Sequence, residues 1–143
     1  MKAYRVELSP TAEVVYRQIY RGAARHLNDS SHSNVKLLRS VDECLDKIIP
    51  HDPFSRKRAL AGSLSNIFRV KKGRLRICYI GSSTNFKIKV LYISETLRKS
   101  GSKNDPYVLF TSMVMSGEFE QFFEELGVKR PARKSERQHL HIQ

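Results

Sequence analysis

The chain has 143 residues, of which 40% are hydrophobic, and its 26 lysines and arginines exceed its 14 acidic residues to give a formal net charge of +12. No apolar run approaches the roughly 20 residues that cross a bilayer, and the N-terminal residues lack the apolar stretch of a secretory signal. This composition is typical of one globular domain. We therefore expect a cytoplasmic protein without a membrane partner, and the excess of positive charge predicts an acidic one.

The first predicted elements are a short strand and a helix. Residues 3–8 alternate as in a strand. Ser9 is a good N-cap and Pro10 suits the first helical position, so we expect a helix from here to about Leu27. The apolar face of the strand is formed by Tyr4, Val6 and Leu8.

A second amphipathic helix is predicted after the polar loop 28–34. It spans about residues 35–49 and has Pro50 as its stop. Its apolar stripe is formed by Leu38, Val41, Leu45 and Ile48. We expect the two helices to form an antiparallel hairpin.

From Asn66 the apolar period changes from helical to two, which predicts three antiparallel strands. The alternating apolar positions are Phe68, Val70, Leu75, Ile77, Tyr79, Phe86, Ile88, Val90 and Tyr92. Together these elements predict an α+β fold with a short N-terminal strand, a two-helix hairpin, a three-stranded meander in one sheet and C-terminal helices.

The turn between the first two meander strands sets the predicted positions of four cations. A two-residue loop at Lys72-Gly73 would pair Lys71 with Arg74 and Arg69 with Arg76. All four side chains would then project from the face opposite the apolar positions. Such a face is expected to bind an anion.

Between Asp52 and Glu95 the chain has ten basic residues and no acid. Because like charges repel, we expect an external polyanion, RNA or DNA, to supply the missing negative charge. A plain solvated face is the alternative. The ten residues are Arg56, Lys57, Arg58, Arg69, Lys71, Lys72, Arg74, Arg76, Lys87 and Lys89.

The C-terminal third predicts two more helices. Asp105 and Pro106 form a start signal that places Tyr107 in the first turn, with Leu109, Met113 and Val114 as the apolar side. The last helix ends at Gly127 and buries Phe119, Phe122, Phe123 and Leu126. We expect one domain over residues 1–127 and a basic, disordered tail over 128–143.

Cysteine and histidine usage predicts no metal or other cofactor. Cys44 and Cys78 have no CxxC spacing and are interpreted as reduced core thiols. The five histidines are scattered, and no pair has helical metal-ligand spacing. Paired carboxylates are absent from the basic block.

The order of elements and the segment IFRVKKGRLRICYIGSS resemble the RelE/ParE superfamily of bacterial toxins from toxin-antitoxin systems. The most specific part is Phe68-Arg69-Val70-Lys71, a tight turn, and Arg76-Ile77-Cys78-Tyr79. The resemblance covers about residues 1–100. Members of the RelE branch are endoribonucleases that cut mRNA in the ribosomal A site without a metal and so arrest translation.

For this chain the resemblance implies a set of catalytic roles. Arg69 and Lys71 would lie beside the scissile phosphate, and Arg76 would bind it. Arg98 would help to neutralise it, and Tyr107 would orient or deprotonate the attacking 2′-hydroxyl.

Elementary chemistry supports the same residues. Attack by a 2′-hydroxyl passes through an extra-negative phosphorane-like state that arginine and lysine stabilise. A lysine crowded by cations loses its proton more readily, which makes Lys71 the first candidate for general acid or base. Arg69 stands where the family has a lysine and can clamp phosphate but hardly act as a base. Tyr92 and Tyr79 are alternatives to Tyr107, although Tyr79 alternates onto the core face.

Further RNA phosphate contacts are expected from Lys72, Arg74, Lys87, Lys89, Arg56, Lys57 and Arg58. The last three could equally form a solvated loop. Two other functions stay open: the ParE branch inhibits DNA gyrase by protein contact, and the chain could be a non-catalytic RNA-binding module. The cationic strands favour the nuclease, whose partners would be mRNA, the ribosome and a neutralising antitoxin.

Overall fold

The computed structural model describes residues 4–95 and 106–131, which form a four-stranded sheet with helices on both faces. The N-terminal strand pairs in parallel with the last strand of the meander, and the other neighbours are antiparallel. The predicted α+β fold with its meander in one sheet is confirmed. In spatial order the strands are β1 (Arg5–Leu8), β4 (Lys87–Glu95), β3 (Leu75–Ser82) and β2 (Phe68–Lys72).

Helices α1 (Pro10–Ala24) and α2 (Ser33–Glu43) form the predicted hairpin. The side chain of Asn34 donates to the Gly22 carbonyl at 2.9 Å, so the start of α2 lies beside the end of α1 and the two helices are antiparallel. The predicted cap is present, since the Ser9 hydroxyl accepts from the next turn. No helix within the described residues is both long and apolar enough to span a membrane.

The second helix does not stop at Pro50 as predicted. A π-helical turn (Cys44–Ile48) leads from α2 into α3 (Ile49–His51), which contains Pro50. Proline has no N–H and its ring crowds the carbonyl four residues earlier, which normally breaks a helix. The wider turn, closed by a hydrogen bond from the Ile49 N–H to the Cys44 carbonyl, shifts the bonding pattern just before the proline and lets the chain continue.

The hairpin packs on one face of the sheet, the hairpin face, where it forms one of the two main cores. The sheet residues buried there are Val70, Leu75, Ile77, Tyr79, Ile88, Val90 and Ile93. Tyr4, Val6 and Leu8 pack against this core as predicted.

The other face, the C-terminal face, is partly covered by α4 (Pro106–Met115) and α5 (Glu120–Leu126). This limits the predicted cationic face, because the middle of the meander is buried there and not open to solvent. The buried residues are Cys78, Ile80, Leu91, Phe110, Val114, Phe119, Phe122, Phe123 and Leu126.

The predicted apolar side of helix α4 is correct only in part. Val114 is buried and Met113 packs against the same core, but Leu109 is 45% exposed and Phe110, which was not predicted, is fully buried. Helix α5 ends at Gly127, whose φ of 67° is the left-handed conformation expected of a C-cap glycine. Ordered chain continues beyond this predicted boundary, since the Asn66 side chain donates to the Lys129 carbonyl at 2.8 Å. Residues 132–143 of the predicted tail lie outside the described residues.

The turn between β2 and β3 is shifted by one residue from its predicted position. The loop is Gly73-Arg74, so Lys71 lies opposite Arg76 and Arg69 lies opposite Cys78. Gly73 has a φ of 59°, a conformation that favours glycine over lysine at the first loop position. The predicted pairs Lys71–Arg74 and Arg69–Arg76 are therefore wrong, although Arg69, Lys71 and Arg76 still share the C-terminal face.

Strand β4 contains a bulge that the alternation did not predict. Val90 pairs with Tyr79 and Tyr92 pairs with Cys78, which leaves Leu91 as the extra residue. The bulge moves Tyr92 from the predicted apolar face to the C-terminal face. The Ser9 hydroxyl donates to the Leu91 carbonyl at 2.8 Å, so this buried backbone group at the bulge has a hydrogen-bond partner.

Candidate functional site

Within the described residues, four of the ten cations in the basic block have carboxylate partners. The acids come from elements at the border of the block or far from it in the sequence. For these four residues the fold itself supplies negative charge, which was expected from an external polyanion. The pairs are Lys72 with Glu43, Arg74 with Glu95 at 3.6 Å, Lys87 with Glu125 at 2.8 Å and Glu7 at 3.2 Å, and Lys89 with Glu7 at 3.0 Å.

Lys87 and Lys89 belong to an ion-pair cluster that fastens α5 and β1 to β4. Lys89 is only 8% exposed, and its ammonium lies 4.9 Å from the centre of the Phe122 ring. The hydrogen bond that Lys89 donates to Glu7 holds the pKa of Glu7 below its ordinary value, and the one that Lys87 donates to Glu125 raises the pKa of Lys87. The charge of both lysines is already balanced within the fold, so we leave them out of the candidate site.

A cationic cleft of about 300 Å³ lies along the outer edge of β2. Its far wall is the 3₁₀ turn Arg56–Arg58, whose entry is capped by the Ser55 hydroxyl. Because β2 is an edge strand, this side of the sheet is open to a ligand. The lining consists of five cations and two apolar side chains: Lys57, Arg58, Arg69, Lys71, Lys72, Ile48 and Val70.

Arg58 is held in a fixed orientation within this wall. Its Nη1 donates to the carbonyls of Ile48 at 3.0 Å and Asp52 at 2.8 Å, which joins the end of the π-helical turn to the loop after it. Nearby Tyr79 is fully buried and donates its hydroxyl to the Pro53 carbonyl. Burial raises the pKa of Tyr79, which is a core residue as predicted.

Lys71 and Arg76 form a cross-strand pair of like charge beside the cleft. Arg76 donates to the carbonyls of Gly73 at 2.6 Å and Leu75 at 3.0 Å, so its guanidinium is fixed at the end of the hairpin. Within residues 4–95 and 106–131, neither cation forms an ion pair with a carboxylate. Directly opposed like charges destabilise a sheet, which makes this pair a suitable anion site.

Arg69 and Tyr107 meet on the same side of the sheet although 38 residues separate them. The Arg69 Nη1 donates to the Tyr107 hydroxyl at 3.0 Å, and the guanidinium carbon lies 5.5 Å from the centre of the ring. Tyr107 is in the first turn of α4, as predicted. Phe110 of the same helix stacks on Tyr92 at 5.4 Å, which seats α4 against the sheet.

The structure thus brings Arg69, Lys71, Arg76 and Tyr107 to one region, while Arg98 lies outside the described residues. Burial raises the pKa of Tyr92, whose ring packs with Phe110 in the core of the C-terminal face. In the described part of the chain, no group of three or more histidine, cysteine or acidic side chains could hold a metal ion.

Sequence reasoning missed the two backbone carbonyls that orient Arg58 and the apolar floor of the cleft. The spacing of Ile48 predicts a place in the helical stripe, and nothing in that spacing shows that it also borders a cationic cleft. For the ion pairs a signal was present. The sequence has acidic residues in the last amphipathic helix and in the first strand, and these could be expected to form ion pairs with a basic sheet.

A family model described as a toxin with endonuclease activity, of a toxin-antitoxin system, matches residues 10–130. A chain in the crystal structure of the RelBE2 toxin-antitoxin complex from Mycobacterium tuberculosis is similar with a TM-score of 0.48 and 18% identity over 66% of this chain and 100% of that one. No curated protein matches the sequence.

The prediction of a toxin from a toxin-antitoxin system is confirmed by the family match. The match also supports a nuclease over the two other functions that the sequence left open. Because the matching segment covers most of the chain, this protein belongs to the YhaV family of toxins with endonuclease activity.

Proposed function

We propose that this toxin is an endoribonuclease that cuts mRNA on the ribosome, with the 2′-hydroxyl of the RNA as nucleophile and no metal ion. The observation that carries the proposal is the Lys71–Arg76 cross-strand pair beside the Arg69–Tyr107 contact. It combines an anion site with a hydroxyl in a protein whose family cuts nucleic acid.

The proposed reaction needs only groups of the RNA and the protein. The 2′-oxygen attacks the adjacent phosphorus and its proton passes to a base. The bond from phosphorus to the 5′-oxygen breaks, and that oxygen receives a proton. The products are a 2′,3′-cyclic phosphate and a 5′-hydroxyl. Between these states the phosphoryl oxygens carry extra negative charge, which fixed cations stabilise.

Each residue of the site has a role in this reaction. Lys71 transfers a proton, since its ammonium is exposed and has no carboxylate partner in the described ranges. Arg76 and Arg69 hold the phosphoryl oxygens, and their fixed guanidinium groups reduce the cost of reorganisation. Tyr107 orients the 2′-hydroxyl, and Arg98 adds a further positive charge.

The cleft extends the site along the RNA. Arg56, Lys57 and Arg58 are proposed to bind phosphates next to the scissile one, and Arg58 is already oriented for this by two carbonyls. Lys72 and Arg74 contribute less, because Glu43 and Glu95 balance their charge.

Membership of a toxin-antitoxin system supports a second partner. We propose that a cognate antitoxin binds the toxin and neutralises it. The ribosome, as the place of cleavage, would make the nuclease an inhibitor of translation.

A cleavage assay with chemically modified RNA tests this proposal. The purified full-length chain is first dialysed against EDTA. It is then incubated, in the Mg²⁺ buffer that keeps ribosomes assembled, with ribosome-bound mRNA, with the same mRNA free, and with mRNA that has a single 2′-deoxyribose at the cleaved nucleotide. We expect cleavage of the ribosome-bound mRNA to 5′-hydroxyl and 2′,3′-cyclic phosphate ends, and none where the 2′-hydroxyl is missing.

Cleavage of the deoxy-substituted mRNA would refute the 2′-hydroxyl mechanism. Cleavage that the dialysed chain loses and that added Zn²⁺ or Mn²⁺ restores would refute the metal-free one. Equal cleavage of free mRNA would remove the ribosome from the proposal. If expression of the chain in bacteria arrests growth without creating new mRNA 5′ ends, inhibition of DNA gyrase would be the better explanation.

A further inference from the structure

A second concave surface lies along α1, next to the end of β1. It is a groove of about 530 Å³ that follows the helix from Glu13 to Arg21, about two turns. β1 and β2 are opposite edges of the sheet, so the groove is remote from the candidate active site. The groove is lined by Leu8, Glu13, Tyr16, Arg17, Tyr20 and Arg21.

The floor of the groove is rigid and apolar. The Tyr16 hydroxyl donates to the Asp42 carboxylate at 2.7 Å, which fixes the ring between the two helices of the hairpin. Burial, together with this bond, raises the pKa of Tyr16 to about 12, so the hydroxyl stays a donor at physiological pH. Leu8 completes the floor from β1.

One wall of the groove contains an exposed aromatic side chain. Tyr20 lines the groove and is 49% exposed, and Val14, outside the lining on the adjacent helical face, is 56% exposed. Isolated exposed apolar side chains are common, but aromatic ones that border a preformed groove are typical of protein contact sites.

The rim of the groove is positive. Arg21 is exposed and forms no ion pair with a carboxylate within the described residues, and Arg25 is exposed one turn further on. Arg17 and Glu13 balance each other at 2.8 Å. Tyrosine and arginine are also the residue types that contribute most to protein interfaces. An acidic partner with apolar side chains would complement both the rim and the floor.

We infer that this groove binds an acidic, amphipathic helix of the antitoxin, so that the toxin is recognised at a surface separate from its active site. The inference rests on the proposed antitoxin partner. A helix lying in the groove would place apolar side chains against Tyr16 and Leu8 and carboxylates beside Arg21. An RNA partner fits less well, because the floor of the groove offers apolar contacts and few hydrogen-bond donors for phosphate groups.

The test is a binding measurement with the purified full-length antitoxin that is encoded beside the toxin gene. The variant Tyr20→Ala with Arg21→Glu changes the wall and the rim. The variant Arg39→Glu makes the same reversal of one charge on an exposed residue of α2 outside the groove. We expect the first variant to bind the antitoxin at least about tenfold more weakly and the second to stay within about twofold.

RNA cleavage by the antitoxin-free variants should equal that of the unchanged toxin. Unaltered antitoxin affinity in both Tyr20→Ala/Arg21→Glu and Arg21→Glu alone would overturn the inference. Reduced RNA cleavage with unaltered antitoxin affinity would show an RNA surface instead and would also overturn it. Antitoxin binding by an unchanged toxin that cuts no RNA would refute the proposed function alone.

Discussion

Strands β2 and β4 of the basic block have similar sequences but opposite electrostatic situations. In β4, Lys87 and Lys89 are surrounded by Glu7 and Glu125. In β2, Lys71 faces Arg76 across the hairpin, and neither has an acidic partner in the part of the chain that the structure describes. Only the second arrangement leaves positive charge for a ligand.

The difference shows that a run of cations in the sequence does not measure the charge available for binding. Counter-charge arrives through the fold from distant elements, and it reaches β4 because β1 and α5 pack there. No helix or strand with free carboxylates covers β2, the edge strand, in the described structure. The cations near β2 are therefore predicted to bind and cleave RNA, and the lysines of β4 are predicted to stabilise the fold.

The largest contrast is expected from removing one lysine from β2 and one from β4. Lys71→Met should lower the rate of RNA cleavage by at least about 100-fold, because general acid-base groups contribute factors of this size. Lys87→Met makes the same chemical change at a lysine paired with Glu125 and should keep the rate within about threefold. Single-turnover cleavage of ribosome-bound mRNA measures both.

Two results would break this contrast. Equal losses in both variants would mean that the whole sheet binds RNA through its net charge. A Lys71→Met enzyme of normal rate, with its fold checked by circular dichroism, would leave proton transfer to another group. Lys36→Met, at an exposed residue of α2, serves as the control for loss of one positive charge.

A smaller effect on cleavage is expected at Tyr107. Tyr107→Phe keeps the ring next to the Arg69 guanidinium but removes the oxygen that accepts its hydrogen bond at 3.0 Å. The rate should fall about tenfold, since one orienting hydroxyl is lost while the cations remain. Tyr92→Phe is the matched control, because that ring packs on Phe110 in the core. If Tyr92→Phe lowers the cleavage rate more than Tyr107→Phe does, Tyr92 and not Tyr107 would be the tyrosine that orients the 2′-hydroxyl.

Substitution of the ion-paired lysines of β4 should change the stability of the protein. Lys89→Met leaves the partly buried carboxylate of Glu7 without its closest cation and removes the contact with the Phe122 ring. The free energy of unfolding should fall by about 1–3 kcal/mol. Lys71→Met should change it by less than about 0.5 kcal/mol. Chemical denaturation gives both values.

Adding Glu7→Gln to Lys89→Met separates the ion pair from simple loss of packing. If the ion pair is responsible, Glu7→Gln should lower the free energy of unfolding less in the Lys89→Met background than in the otherwise unchanged protein. Additive losses would show that Lys89 stabilises the sheet mainly through its contact with Phe122.

Local signals predicted much of the fold. The helix start at Ser9-Pro10 and the C-cap at Gly127 depend on neighbouring residues only, and both were predictable. The shift of the hairpin turn was not predicted, although the preference of Gly73 for positive φ was a usable signal. The bulge at Leu91 could not be predicted, because it depends on how β4 pairs with β3 and where Ser9 can reach its carbonyl.

The candidate site divides in the same way. Alternation along the strands placed Arg69, Lys71 and Arg76 on one face, and the helix start placed Tyr107 in a first turn. The contact between Arg69 and Tyr107 depends on how α4 packs against the sheet, which spacing does not reveal. The pairing of Lys89 with Glu7 joins residues 82 positions apart and was equally hidden.

The smallest expected effect concerns pH and compares two adjacent residues of α5. Lys87 lowers the pKa of Glu125 in the folded protein below its ordinary value of 4.5. A carboxyl whose folded pKa is lowered stabilises the protein above its unfolded pKa, and this stabilisation disappears as the pH falls through the folded pKa. Glu125→Gln should therefore lower the melting temperature at pH 7, and the difference should shrink as the pH falls through the folded pKa of Glu125. Glu124 forms no ion pair within the described chain, so Glu124→Gln should follow the unchanged protein across the same pH range. A difference for Glu125→Gln that stays constant with falling pH would mean that Glu125 acts through packing, and the ion-pair cluster would then have no part in holding α5 on the sheet.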